Sequence, residues 1–253
     1  MTMLTEERHD YILEKLKREN TVKIKELEAE LKCSISTVRR DLSDLEKQGL
    51  LARVHGGAKR IYTLNAEMEM KEKSGKNIHE KKKIGALAAS FVEAEDIIYL
   101  DAGTTTYEMI PFLKDIEDLL VVTNGVNHAD LLTEYNISTV LLGGQIKMKT
   151  KAIIGSVALN QLKNYGFSKT FLGMNGIDGE FGYTTPDTEE AALKRLAGNL
   201  ANQAYVVADQ TKFHKVNFVK VSELENYMII TNQLDETDRE QFANWTQIWE
   251  ANK

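Results

Sequence analysis

Two adjoining stretches, Ser34-Ile35-Ser36-Thr37-Val38-Arg39-Arg40-Asp41-Leu42 and Leu50-Leu51-Ala52-Arg53-Val54-His55-Gly56-Gly57-Ala58, decide how the start of this 253-residue chain folds. Ser34 is placed to cap a helix by accepting an amide hydrogen from its first turn. Val38, Leu42 and Leu45 then share one face at helical spacing, and Gly49 is a natural stop. The other face shows Ser36, Thr37, Arg39 and Arg40 near the helix start, the end that a recognition helix inserts into the major groove. Leu50 to His55 alternates like a strand, and Gly56-Gly57 turns it back towards Lys59-Arg60-Ile61. The result is a β-wing on which Arg53, His55, Lys59 and Arg60 can reach phosphates or the minor groove. Guanidinium groups bind phosphate or guanine edges in bidentate fashion, and small hydroxyls such as those of Ser34, Ser36 and Thr37 suit backbone oxygens.

Upstream, the spacing predicts a helix over about Thr5–Arg18, with Ile12 and Leu16 on its apolar face, and a short second helix carrying Ile24, Leu27 and Leu31. Lys32-Cys33 forms the turn before the third. A lone Arg pair on a helix is ordinarily surface decoration. Three helices at this spacing, with the cap, the glycine stop and the basic hairpin, point to double-stranded DNA as a partner. Asp41 is assigned to the fold, paired with a neighbouring Arg or Lys.

Charge is divided accordingly. The whole chain carries a net −6, yet residues 1–60 hold 13 Lys and Arg against 11 Asp and Glu, while the remainder holds 19 against 27. The positive excess lies where a DNA contact needs it. The hydrophobic share of 42% is ordinary for a soluble globular protein, and the length suits one small and one medium domain. No apolar run reaches the roughly 18 residues of a membrane span. The first residues lack a signal peptide's pattern, and the single cysteine, Cys33, makes no internal disulfide, so a cytoplasmic, membrane-free protein is expected. The predicted division is a DNA-binding domain over 1–58, a linker over 59–76, and a larger domain over 77–253.

The stretch Tyr62 to Lys83 reads as a connecting helix or exposed linker broken at Ser74-Gly75, with Lys81-Lys82-Lys83 on the solvated face of a helix continuing to Phe91. Beyond it, short runs of branched residues alternate with helical patterns. The strand-like runs are Ile97–Leu100, Leu119–Val122, Thr139–Leu142, Thr170–Leu172, Tyr205–Ala208 and Met228–Ile230. Helical patterns cover Tyr107–Leu113, Val126–Thr133 and Thr188–Asn202. Such alternation predicts a mainly parallel sheet covered on both faces, an α/β domain. Ligands on these sheets gather at the carboxyl ends of strands.

The polar motifs begin where strands stop. Asp101-Ala102-Gly103-Thr104-Thr105-Thr106 follows the first run; its glycine allows close backbone approach and its hydroxyls and amides suit a phosphate. Thr123-Asn124-Gly125 follows the second, Gly143-Gly144 the third, Asn175-Gly176 the fourth, and Asp209-Gln210-Thr211-Lys212 the fifth. A Lys supplies a point charge to phosphate, and Asp and Asn suit sugar hydroxyls. Several of these have plain structural uses: Asp209 as a cap, Gly143, Gly144 and Gly155 as turns, Asp178-Gly179 as a hairpin. His79, His128 and His214 lack metal spacing, so no metal and no other cofactor is assigned. No paired carboxylates or His-centred arrangement stands out beside the Thr loop, which argues against an enzyme.

On these residues the chain resembles the DeoR family of bacterial repressors. The likeness is carried first by Ser34…Thr37-Val38-Arg39-Arg40-Asp41-Leu42…Leu45-Glu46…Gly49…Arg53…His55-Gly56-Gly57-Ala58, which is similar to the family's winged helix-turn-helix signature. It extends to the second domain, which resembles the family's effector domain and the fold of ribose-5-phosphate isomerase. The resemblance implies that Gly103, Thr104, Thr105 and Thr106 hold a phosphate with help from Lys212. It implies that Asp101, Thr123, Asn124, Gly125, Gly144, Asn175 and Asp209 surround the sugar. Glu72-Lys73-Ser74-Gly75-Lys76-Asn77, Thr123-Asn124-Gly125-Val126 and Thr184-Thr185-Pro186-Asp187 further resemble fructose operon repressors of Gram-positive bacteria, implying fructose 1-phosphate as effector. The expectation is a repressor released by a phosphorylated sugar, a homo-oligomer (dimer or tetramer) matched to a symmetric operator. The competing expectation is a sugar-phosphate isomerase or deaminase with a DNA-binding head.

Overall fold

The computed structural model describes residues 3–62 and 75–251. The chain divides into two compact units, Met1–Thr63 and Leu64–Lys253. Much of the connecting stretch, including Glu72, Lys73 and Ser74, lies outside the described residues.

In the first unit, helices α1 (Thr5–Glu19), α2 (Ile24–Leu31) and α3 (Ile35–Lys47) surround a core that includes Ile12, Leu16, Leu27, Val38, Leu42 and Leu45. The Ser34 side chain accepts from the Thr37 amide at 3.2 Å and so caps α3. Gly49, at φ +72°, takes the left-handed conformation just past the helix, which costs glycine nothing. Strands β2 (Leu51–Val54) and β3 (Gly57–Arg60) form the wing hairpin. One strand escaped the sequence reading: β1 (Thr21–Lys23) pairs with β3, giving a three-stranded sheet in the order β1-β3-β2. Gly57 therefore does more than turn the chain, since a Cβ there would collide with the Val22 carbonyl of β1. Because β3 runs to Arg60, Ala58 is the middle of an element and Lys59 and Arg60 belong to the wing rather than to a linker.

Asp41 finds its partner 33 residues away. The Arg8 guanidinium donates from Nε to Asp41 Oδ2 at 2.7 Å and from Nη2 to Oδ1 at 3.0 Å, and a further N–H meets the Met3 carbonyl at 2.9 Å. Both side chains are buried, so this bidentate pair clamps α1 onto the helix that carries Arg39 and Arg40.

In the second unit, α4 (Ile78–Ala89) leads into β4 (Ile97–Leu100), the short α5 (Thr104–Tyr107), β5 (Leu120–Thr123), α6 (Val126–Glu134) and β6 (Ser138–Leu141). A hairpin follows, β7 (Gln145–Lys147) and β8 (Ala152–Ile154), then α7 (Ser156–Leu162) and β9 (Phe167–Gly173). The chain continues through β10 (Gly176–Asp178), β11 (Gly182–Thr185), α8 (Thr188–Asn199) and β12 (Ala201–Val207). It ends with β13 (Val219–Ser222), β14 (Met228–Asn232), α9 (Glu236–Ala243) and β15 (Ile248–Ala251). Seven strands make one sheet in the order β15-β14-β12-β9-β4-β5-β6, and every pair in it is parallel. Apolar clusters cover both faces: Tyr99, Leu172 and Val206 belong to one, Ile98, Phe171 and Val207 to the other. From β4 the chain builds outward through β5 and β6; from β9 it builds the opposite way through β12, β14 and β15. The strand order therefore switches direction between β4 and β9, the place where an open α/β sheet leaves a crevice at its carboxyl edge.

Three details correct the sequence reading. Tyr107–Leu113 is not a helix: α5 ends at Tyr107 and a 3-10 turn, Ile110–Phe112, follows with Pro111 in it, where a missing N–H breaks helical bonding. The helix predicted over Thr188–Asn202 ends at Asn199, and Ala201 already starts β12. Lys81 is 3% exposed, so it does not share the solvated face of Lys82 and Lys83.

Removing one member of a buried ion pair strands the other, at a cost of about 3–5 kcal/mol. Asp41→Ala should lower the unfolding free energy of the first unit by about that much, read as a shift of the urea midpoint of full-length protein followed by a probe in residues 1–62. A loss under about 1 kcal/mol, the level of an exposed pair, would show that Arg8 finds equivalent partners.

Candidate functional site

The DNA-facing candidates divide by burial. Ser34, Ser36, Arg39, Arg40, Arg53, His55 and Lys59 are exposed, and Thr37 is half-buried. Among the described residues Arg39 and Arg40 make no ion pair, leaving two guanidinium groups on the outer face of α3. The hydroxyls of Ser34 and Ser36 lie 2.7 Å apart, and that of Ser34 lies 2.9 Å from Thr37 Oγ1, so Ser34 serves the cap first. Glu46 accepts from the Arg53 amide at 3.0 Å and ties the wing to α3. Arg60 differs. Its Nη1 donates to the Lys17 carbonyl at 3.1 Å and its guanidinium lies 4.8 Å from the centre of the Tyr62 ring, so it is held against its own unit and turned to structural use.

At the β4–β9 switch point a cleft opens. It is lined by the Asp101–Thr105 turn after β4, by Gly173, Met174 and Asn175 at the end of β9, and by Lys212 beyond β12. Thr150, Glu190 and Lys194 complete the wall. Of the sequence candidates, then, Asp101, Gly103, Thr104, Thr105, Asn175 and Lys212 meet here. Thr104 and Thr105 make no side-chain hydrogen bond among the described residues, and Lys212 makes no ion pair.

The other candidates hold the cleft's shape from behind. The Thr106 hydroxyl is fully buried, accepts from the Gly103 amide at 3.0 Å and lies 2.6 Å from the Asp101 carbonyl, so it is spent on the turn and is not offered to a ligand. Thr123 donates to the Leu100 carbonyl at 2.6 Å and accepts from the Gly125 amide at 3.0 Å. Asn124 accepts from the Ala102 amide at 2.9 Å and donates to the Ile153 carbonyl at 3.2 Å, bracing the turn against β8. Gly125 is buried because the His128 ring occupies the space of a side chain: a Cβ would fall 2.5 Å from Nδ1. Gly144, at φ +145° and with the Ile154 carbonyl in the path of any Cβ, serves the turn into β7. Asp209 is buried, accepts from the Thr211 amide at 3.0 Å and from Asn77 Nδ2 at 3.2 Å, and fixes the turn that presents Lys212.

Sequence reasoning missed the charged floor of the cleft. Lys194, on α8, is 5% exposed and its ammonium rests on Asp101 Oδ2, which also accepts from the Gly173 amide at 3.0 Å. Glu190, one turn earlier, accepts from Thr150 at 2.8 Å and from Lys147 at 3.2 Å. Lys147 also meets Asp187 at 3.0 Å; burial pushes the Asp187 pKa up, but the Glu190 amide and Lys147 outweigh it and leave it lowered. Two carboxylates thus do line the cleft beside the Thr loop, contrary to the sequence expectation, each engaged by an ammonium. The available signal was a Glu and a Lys sharing the apolar stripe of Ala191, Ala197 and Gly198 on α8.

His128 was passed over because it has no metal spacing, yet it is fully buried with Nε2 3.1 Å from the Thr106 hydroxyl. Burial drives its pKa down to about 3, with the positive charge of Lys194 adding to the effect. It is a neutral prop under the Asp101–Thr106 turn.

The DeoR-like helix-turn-helix domain description matches residues 8–63, and the DeoR C terminal sensor domain description matches residues 76–233. An uncharacterized HTH-type transcriptional regulator, FruR, of Bacillus subtilis is 46% identical, with 97% of this chain and 98% of that relative aligned. The lactose phosphotransferase system repressor of Streptococcus mutans is 32% identical over 97% and 99% of the two chains. Among solved structures, ribose 5-phosphate isomerase A of Methanocaldococcus jannaschii aligns over 54% of this chain and 55% of its own, with 17% identity and a TM-score of 0.41.

A histidine held near pKa 3 when folded and near 6.5 when unfolded is protonated only in the unfolded chain between those values. Its contribution to stability is complete above about pH 6.5 and is lost as the pH falls towards 3, with a slope of up to about 1.4 kcal/mol per pH unit. His128→Gln should be less stable at pH 7 but should lose less between pH 7 and pH 5 than the parent, by urea unfolding at both. Equal losses in the two proteins would mean that the ring is solvated.

Proposed function

The chain belongs to the DeoR family of transcriptional regulators, and we propose that it is the repressor of a sugar-utilisation operon, released from its operator by a phosphorylated sugar in the β4–β9 cleft. The observation that carries the sensor half is the meeting in one cleft of Lys212, Thr104 and Thr105, whose ammonium and hydroxyls have no ion pair or side-chain hydrogen bond among the described residues. A dianionic phosphate matches a point charge beside hydroxyl donors. The DNA half rests on Arg39 and Arg40 exposed at the start of α3, with Arg53, His55 and Lys59 on the wing. Fructose 1-phosphate is the effector this reading favours, on the stretches that resemble fructose operon repressors. One of them, Thr184-Thr185-Pro186-Asp187, leads into the helix that carries Glu190 and Lys194.

The protein acts in the cytoplasm as a homo-oligomer, because helix-turn-helix regulators read two half-sites with two recognition helices. The effector releases DNA by favouring an arrangement in which those helices no longer match the half-sites. A coupling of about 1–3 kcal/mol is typical of such linkage and changes affinity about 5- to 150-fold. Turnover is the second reading, favoured by Asp101 and Glu190 lining one cleft with Lys194. Incubation with ribose 5-phosphate, glucosamine 6-phosphate and fructose 1-phosphate decides it: sustained product formation would replace the sensor with an enzyme.

Two substitutions separate the two ends. Arg39→Ala should abolish operator binding in fluorescence anisotropy at fixed salt while leaving sugar-phosphate binding intact. Lys212→Ala should bind the operator normally and fail to let go when fructose 1-phosphate is added. Identical defects in both variants would sink the division of labour.

A further inference from the structure

Three charged side chains in the cleft are buried and only half used. Asp101, Glu190 and Lys194 are 2%, 7% and 5% exposed. Both donors to Asp101, the Gly173 amide and the Lys194 ammonium, meet the same oxygen, Oδ2, and among the described residues Oδ1 accepts nothing. Glu190 repeats the pattern: Thr150 and Lys147 both donate to Oε1, and Oε2 accepts nothing. Lys194 spends one of its three N–H bonds on Asp101, leaving two. Neither Asp101 Oδ1 nor Glu190 Oε2 is a buried atom, although both side chains are, so the two acceptors open on the cleft, and with the remaining Lys194 N–H bonds they stand where a ligand's own polar groups can reach them.

The charges say which ligand. Asp101, Glu190 and the nearby Asp187 set three carboxylates against two ammonium groups, Lys194 and Lys147. Lys212, lining the same cleft, has no carboxylate on it among the described residues. One part of the wall is therefore fitted to an anion and the other to neutral hydrogen-bonding groups, with a residual negative charge.

We infer that Asp101, Glu190 and Lys194 are the specificity-determining residues of the effector site, and that they select a sugar bearing one phosphate and no second anionic group. Sugar hydroxyls donate to Asp101 Oδ1 and Glu190 Oε2, and Lys194 donates to an oxygen of the same sugar. A second phosphate or a carboxylate brought to this wall meets two carboxylates and is rejected by repulsion, which discriminates more sharply than a missing contact. The inference rests on the sugar-phosphate-sensor reading and deepens it.

Titration calorimetry of the full-length protein tests it. The probes with a single anionic group are fructose 1-phosphate, glucose 6-phosphate and ribose 5-phosphate; those with a second anionic group are fructose 1,6-bisphosphate and 6-phosphogluconate; inorganic phosphate reports the anion end alone. The tightest monophosphate should bind at least about tenfold better than either probe with a second anionic group. Lys194→Met should bring that sugar down to the affinity of inorganic phosphate, which itself stays unchanged. Glu190→Gln keeps the shape and the Thr150 contact, and should narrow the gap to the bisphosphate even if Lys194→Met does not fold. A bisphosphate that binds as tightly as the best monophosphate, or a Lys194→Met protein that folds and keeps full sugar affinity, would overturn the inference while the sensor reading stands. No binding of any probe to the unaltered protein would overturn both.

Discussion

A carboxylate buried to 2% exposure has to be met by donors, and at Asp101 the donors come from two other parts of the fold. Its own backbone ends β4, the Gly173 amide ends β9, and Lys194 reaches in from α8. These are the two strands between which the sheet reverses its order of growth. Bringing them together at one oxygen closes the bottom of the crevice that parallel topology leaves at this point. Asp101 and Lys194 neutralise each other there, so neither charge is left unpaired away from water.

The turn that follows Asp101 is held by a second layer doing the same job with neutral groups. Thr106, Thr123 and Asn124 spend their polar atoms on backbone amides and carbonyls, and His128 Nε2 meets the Thr106 hydroxyl. This leaves Thr104 and Thr105, uncommitted among the described residues, on a well-braced loop. The division inside Thr104-Thr105-Thr106, two hydroxyls towards the cleft and one into the core, is what a single helical turn imposes on three consecutive residues. The DNA-binding unit uses the same device on a smaller scale: the Arg8–Asp41 pair fixes α3 from behind, while Arg39 and Arg40 are exposed at the front.

Much of this was legible in the sequence where local chemistry decides. The Ser34 cap, the Gly49 stop, the stripe of Val38, Leu42 and Leu45, and the strand runs at Ile97, Thr170 and Tyr205 are short-range signals, and each element formed within a few residues of its prediction. The polar turns that start at Asp101, Asn175 and Asp209 were readable for a similar reason, since they follow the strand runs that became β4, β9 and β12. What could not be read was which polar residue faces the cleft and which faces the core. Asn124 and Asp209 are chemically suited to a sugar, yet in the folded chain their side chains hold the Ala102 amide and the Thr211 turn. The strand β1 was invisible because three residues carry no period, and its pairing with β3 is set by the returning wing.

Glu190 and Lys194 show why such a miss occurs and how phase resolves it. Four residues apart, acid before base, they read as an ordinary surface pair that supports an exposed helix by about 0.2–0.5 kcal/mol. The neighbours say otherwise. Glu190, Ala191, Leu193, Lys194, Ala197 and Gly198 are the buried positions of α8, and small residues there let the helix approach the sheet closely. A surface pair would lie opposite that stripe, where Glu189 and Arg195 are exposed. Lying within it, the two charges cannot pair mainly with each other in water, and each must find its partner on the elements the helix packs against: Asp101 for Lys194, Thr150 and Lys147 for Glu190. Charge in phase with an apolar face is therefore a statement about tertiary partners, which here stand just past β4 and in the β7–β8 hairpin.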